Sequence, residues 1–138
     1  VIKPAPVLDE FATPQSVVED AYRYISFAPG EEPRWGDFKR LFDTRSVLAL
    51  RLFPKDKQVT VMSLDEYVQM QVTEGMKAEG YEEKILSTNY KMTGDIAEAH
   101  VHFQMVFAGD RIHDAIDIFQ LVRREGRWWI VSIISEII

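Results

Sequence analysis

The C-terminal half of the chain alternates apolar and polar residues with a period of two, and three turn pairs cut that alternation into long pieces. Gly94-Asp95, Gly109-Asp110 and Glu125-Gly126 each supply a residue suited to tight connections between strands. The pattern predicts four long antiparallel strands, about 82–93, 96–107, 113–124 and 127–137. Strands this long need a cover for their apolar face, and the N-terminal half must supply it.

That half reads as helices. Residues 1–12 hold two prolines and no period, and read as an extended arm. Thr13-Pro14 opens a helix, with Thr as N-cap and Pro at the first helical position, where its missing N–H is harmless. Val17, Val18, Ala21, Tyr22 and Ile25 follow at helical spacing, and Pro29-Gly30 ends the run. Trp35, Phe38, Leu41 and Phe42 mark a second helix of about two turns. Residues 47–53 read as a buried strand and 59–62 as a short one. Ser63 and Glu66 form a capping box that opens a third helix ending near Gly80. One domain over 13–138 accounts for the whole pattern.

Pairing about Gly94-Asp95 puts Lys91 opposite Glu98, an opposite-charge pair that supports the register. Tyr90–Ala99, Thr88–Val101 and Leu86–Phe103 then share an apolar face. Asn89–His100, Ser87–His102 and Ile85–Gln104 share a polar one. Pairing about Glu125-Gly126 puts Leu121–Ile130, Phe119–Ser132, Asp117–Ile134 and Ala115–Glu136 on one face, with His113 beyond. Ile116, Ile118, Val122 and Trp129 fall on the other. Both faces of this hairpin are largely apolar. Helices can cover one, so the other is expected to meet a second copy of the chain, giving a homodimer through the convex sheet face. A one-residue slip would exchange the faces.

Composition excludes several function classes. The net charge is −6, which argues against nucleic-acid and anionic-membrane partners. The basic run Arg123, Arg124 and Arg127 straddles a turn and reads as solvated charge. The chain has no cysteine, so thiolate nucleophiles, disulfides and cysteine-ligated metals are out. No apolar run reaches the ~20 residues that cross a membrane. The chain begins at Val1, which fits a cytoplasmic protein or an exported, periplasmic mature form.

The segments TPQSVVEDAYRYI, WGDFKRLF and QLVRREGRWWIVSI carry a resemblance. With them the chain resembles the nuclear transport factor 2-like superfamily, which includes the ketosteroid isomerase and SnoaL-like polyketide cyclase families. The last segment is similar to the ending of bacterial members with no assigned function. The resemblance implies a cystatin-like α+β barrel: a cone-shaped, strongly curved mixed or antiparallel sheet packed on three helices from the N-terminal half, with a pocket between. This fold hosts enzymes, ligand-binding modules and association domains, so it does not decide function.

Asp117 is the candidate of most chemical interest. It is expected on the pocket face between Ala115 and Phe119, where desolvation raises a carboxyl's pKa toward that of a general acid or base. The alternative is a structural acid bonded to a tyrosine or to Arg51. His113 is a second candidate acid–base group, near Asp117 or Glu136. The expected pocket lining is Tyr22, Tyr67, Tyr90, Phe103, Asp117, Phe119 and Glu136. His100 and His102 share a face with Gln104 but lack a third firm ligand, so no metal site and no cofactor is expected. The expectation is a binder of a small apolar or aromatic molecule. Its alternatives are a cofactor-free isomerase, lyase or cyclase, with Asp117 as acid–base and a tyrosine as oxyanion donor, and a dimerisation module without a ligand.

Overall fold

The computed structural model describes residues 9–138. The expected arm therefore lies mostly outside the described residues. Its end, Asp9–Phe11, is a 3-10 turn. Helix α1 (Pro14–Ile25) begins on the expected cap, where Thr13 Oγ1 accepts from Ser16 N at 3.0 Å, and Ser16 reciprocates to make a capping box. Helix α2 (Trp35–Lys39) is shorter than expected, because Phe42 already starts strand β1 (Phe42–Leu50). Strand β2 (Thr60–Ser63) leads into α3 (Leu64–Met70) through the Ser63–Glu66 capping box. The expected third helix is two helices. Thr73 accepts from Met76 N and caps a separate α4 (Glu74–Glu79), so the described residues hold four α-helices rather than three.

The four C-terminal strands are β3 (Glu82–Thr93), β4 (Ile96–Phe107), β5 (Arg111–Arg124) and β6 (Arg127–Ile137), close to the predicted spans. Together with β1 and β2 they form one six-stranded sheet in the order β2-β1-β6-β5-β4-β3. It is mixed, since β1 runs parallel to β6 and every other pair is antiparallel. The expected cone-shaped, curled barrel is not what forms. The sheet is open, with β2 and β3 as its two edges, and does not close on itself.

Two β-bulges decide which residues face the helices. Near the Gly94 turn the predicted register holds, with Lys91 opposite Glu98 and Thr88 opposite Val101. Leu86 is then an extra residue, and beyond it Ile85 pairs with Phe103 and Glu83 with Met105. The expected pairs Leu86–Phe103 and Ile85–Gln104 do not form, and Leu86 is exposed. On β6 the extra residue is Val131. Leu121 pairs with Ile130 as predicted, but Phe119 faces Ile133, Asp117 faces Ser135 and Ala115 faces Ile137. Each bulge shifts everything beyond it by one residue, and with period two that shift swaps the faces.

The core lies between this face and the helices. Val17, Val18, Tyr22 and Ile25 of α1 pack with Val101, Phe103, Phe119 and Leu121 of the sheet. The start of β3 is pinned by a two-bond bridge between Phe27 and Tyr81. Gly80, beside it, has φ +79°, and a Cβ there would lie 2.9 Å from Pro29. The basic run at the last turn is not free charge. Arg123 pairs with Asp95 at 2.8 Å and Arg124 with Asp43 at 2.7 Å. The Arg127 guanidinium sits between the rings of Phe11 and Trp129, at 3.5 and 3.6 Å from their centroids. Among the described residues no helix is long and apolar enough to cross a membrane.

Candidate functional site

A cavity of about 50 Å³ lies between α1, α2, α3 and the helix-facing side of β1, β3, β4, β5 and β6. Its walls are mostly apolar, with Ile25, Leu48, Phe103, Phe119 and Ile133 prominent. Six of the seven expected pocket residues line it: Tyr22, Tyr67, Phe103, Asp117, Phe119 and Glu136. Tyr90 does not. It shares the helix-facing side but stands toward the Gly94 turn, opposite Ala99. His113 is also absent from the cavity; it packs edge-on against Phe107, 6.1 Å between ring centroids. The expected pairing of Asp117 with His113 is therefore not formed.

Asp117 is 8 % exposed, and among the described residues no cation pairs with it. Tyr22 Oη donates to Asp117 Oδ2 at 2.7 Å. Arg51, the other expected partner, pairs with Glu136 instead, at 3.0 Å, near the cavity rim. Burial pushes the Asp117 carboxyl up to about 6, and the hydroxyls of Ser135 and Tyr22 work against that rise by stabilising the charged form.

The second carboxyl in this wall is Glu83, which the regular register sends to the opposite face. The Leu86 bulge turns it inward. Tyr81 Oη donates to Glu83 Oε2 at 2.6 Å. As a whole residue Glu83 is only half-buried, since β3 is an edge strand. Its carboxyl end, however, lines the cavity, and the local environment of that end governs its protonation. Desolvation first, and then the charge of Asp117, push it up to about 8 against the opposing Tyr81 hydroxyl. The phenols of Tyr22, Tyr67 and Tyr81 are all raised well above their ordinary value, chiefly by burial and then by the neighbouring carboxylates.

Gln71 completes the polar set. It is 4 % exposed, lines the cavity, and its Oε1 has no hydrogen-bond partner among the described residues. The sequence carries one sign of it: a Gln just after α3, at its C-cap, in line with the apolar stripe of Leu64 and Tyr67, where period alone calls for a hydrophobe. Glu83 has no such sign, because its inward aim depends on a bulge that no turn residue marks. At neutral pH the cavity thus holds an ionised Asp117, a protonated Glu83 and an unsatisfied amide oxygen. Such a set accepts hydrogen bonds, offers one acidic proton and one base, and carries a net negative charge.

The histidines of β4 serve elsewhere. His100 Nε2 lies 2.8 Å from Glu98, and His102 Nε2 lies 2.9 Å from Asp114, which also accepts from Gln104. No group of three potential ligands suited to a metal occurs among the described residues.

The sequence profile of the family described as "Putative lumazine-binding" matches residues 37–134. No functionally curated protein matches the chain in sequence. Among solved structures, a nuclear transport factor 2-like protein of unknown function from Silicibacter pomeroyi is 20 % identical, with a TM-score of 0.58 over 90 % of this chain and 92 % of that one. An uncharacterised protein with a cystatin-like fold from Caulobacter vibrioides has a TM-score of 0.68 at 11 % identity, covering 90 % of this chain and 86 % of that one. The yeast UBP3-associated protein BRE5 has a TM-score of 0.66 at 12 % identity, covering 91 % and 97 %. These likenesses establish the nuclear transport factor 2-like, cystatin-like fold.

Proposed function

The chain belongs to this lumazine-binding family, and on that premise we propose that its cavity binds a small molecule that donates hydrogen bonds to Asp117, Glu83 and Gln71. One observation carries the reading: two carboxyl groups and an unpartnered amide oxygen face one cavity whose only lining cation among the described residues, Arg51, is paired with Glu136 at the rim. Each would cost less if exposed or paired, so the arrangement opposes stability unless a ligand completes it. The apolar walls would hold the ligand's body. An edge of two N–H groups flanking a carbonyl, as in a urea or a cyclic ureide, matches these acceptors.

Lumazine carries such an edge, but its two fused rings exceed the cavity. A cavity that takes benzene measures about 150 Å³, three times the space here. A compact molecule of a few heavy atoms suits the cavity as it stands. A ring system requires the rim to open where Arg51 meets the half-exposed Glu136, and ion pairs of that exposure are weak. Titration calorimetry with urea, uracil and lumazine at pH 7 tests the reading. Binding of at least one, weakened about tenfold by Gln71→Leu, is expected. Silence from all three with folded protein refutes it.

A second reading rests on the two carboxyls' different protonation. An acid held to about 8 and a base at about 6 in one cavity suit proton transfer at neutral pH. A cofactor-free isomerase or lyase would use Asp117 as base and Glu83 as acid. Tyr22, already donating to Asp117, would position that base. Exchange of a bound ligand's acidic C–H protons in deuterated water, with a bell-shaped pH profile between those two values, is the expected signature. A flat profile sinks it.

The homodimer is a third proposal, supported by the uncovered side of the sheet. There Ile134 is 53 % exposed and Val61 70 %, beside the half-buried Ile116 and Ile118. Sedimentation is expected to give twice the 16.0 kDa chain mass, and Ile134→Lys is expected to halve it. A monomer at micromolar concentration overturns the proposal.

A further inference from the structure

A second concavity, a groove of about 710 Å³, lies beyond the inner cavity at the far end of β4 and β5. The helix-facing stripe of these strands runs from Asp117 and Phe103 through Met105 to His113 and Phe107. The inner cavity ends at Met105, and the groove begins at His113, its ladder partner. The groove's volume lies within the range of small-molecule sites. Its floor is apolar, made by Phe53, Pro54, Met76 and Phe107.

Its rim is cationic, although the chain as a whole carries −6. Lys55 has no ion-pair partner among the described residues. Arg111 lies over the Phe107 ring, 5.6 Å from its centroid, and its Nε donates to Ala108 O at 3.2 Å. These contacts hold its guanidinium at the rim. Its carboxylate partner is Glu79, at 3.7 Å, and both side chains are more than half exposed, so that pair is weak and leaves most of the Arg111 charge available. His113 stands edge-on to the same Phe107 ring and offers a further polar edge. Two cations face one acid around an apolar floor.

We propose that this groove binds a small amphipathic carboxylate, with the acid on Lys55 and Arg111 and the apolar body on Phe107, Phe53 and Met76. The proposal uses no residue of the inner cavity and stands or falls apart from the function proposed for it. A planar guanidinium fits a carboxylate with two parallel hydrogen bonds, which an ammonium or an alcohol on the ligand would not accept.

The test uses octanoate, with octan-1-ol as the uncharged control. The chain has three histidines, and His100 and His102 lie on the other side of the sheet. Their imidazole NMR signals are internal references, and His113 reports on the groove. Octanoate is expected to shift His113 alone and to bind at least threefold tighter than octanol. The double variant Lys55→Gln/Arg111→Gln is expected to weaken octanoate on the order of tenfold, as two partly exposed ion pairs would, and to leave octanol unchanged. Gly75→Phe is the second variant. Gly75 lines the groove on α4, has no positive φ, and a Cβ there meets only Thr73 Oγ1 at 3.8 Å, so a side chain can be added at this wall without a clash at its Cβ. It is expected to abolish both ligands' effect on His113. Equal affinity for octanol and octanoate, an unchanged affinity in the double variant, or binding that survives Gly75→Phe would each overturn the proposal.

Discussion

Glu83→Gln replaces an acid that is costly to ionise with an amide of the same shape, and its effect on stability should depend strongly on pH. The amide oxygen can still accept from Tyr81 Oη, which donates to Glu83 Oε2 at 2.6 Å, so packing is preserved and titration is removed. In the unfolded chain Glu83 titrates near its ordinary 4.5, and in the folded chain near 8. Between those values the folded state holds a proton that the unfolded state has lost. Stability therefore falls as pH rises through this window and levels off above 8. At 1.36 kcal/mol for each pKa unit, the gap from 4.5 to 8 corresponds to a total loss of about 5 kcal/mol, of which about 3 kcal/mol has accrued by pH 7. Urea denaturation of both proteins at pH 5, 7 and 9 measures it. The variant is expected to gain on the parent steadily, by about 4 kcal/mol between pH 5 and 9. The m-value should be the same for both, since the surface exposed on unfolding is unchanged. A difference between the two proteins that stays constant over this range would refute the claim that the Glu83 carboxyl is desolvated beside Asp117.

Other positions give independent checks. Tyr22→Phe removes the hydroxyl that stabilises the Asp117 carboxylate, so the Asp117 pKa should rise above its value of about 6, read from carboxyl 13C shifts; an unchanged titration would mean that the bond does not act on the charge. Gly80→Ala places a Cβ against Pro29 in a left-handed conformation and is expected to cost about 2 kcal/mol or more, measured in urea; a cost under about 0.5 kcal/mol would show that the segment relaxes. Phe119→Ala, at a fully buried ring against Tyr22, should cost about 3–5 kcal/mol. Thr13→Ala removes the α1 cap and should cost about 1 kcal/mol, seen as a lowered midpoint with unchanged helix content at low denaturant.

Much of the local structure was legible along the chain because its causes are local. Thr13-Pro14 and Ser63–Glu66 mark helix starts through hydrogen bonds within a few residues. The turns at Gly94, Gly109 and Gly126 all have the positive φ that glycine accepts cheaply, and the strands between them follow from period two. The inward aim of Phe103, Asp117 and Phe119 also followed, as did the cavity positions of Tyr22 and Tyr67.

Contacts between distant segments decided the rest. The parallel partnership of β1 with β6, and an open sheet where a cone was expected, depend on which edges meet, and no residue along a single strand encodes that choice. The break between α3 and α4 likewise needed Thr73 to act as a cap within an otherwise helical run. The bulges at Leu86 and Val131 matter most for the site. Each is one extra residue in a ladder, and each reverses the faces beyond it. They turned Glu83 and Ser135 toward the helices and put an isoleucine, Ile134, on the open side. The sequence by itself placed Asp117 in an apolar pocket. Only the tertiary structure gave it a second carboxyl for company and paired Arg51 with Glu136 instead, because the face a strand residue takes is settled by everything paired between it and the turn.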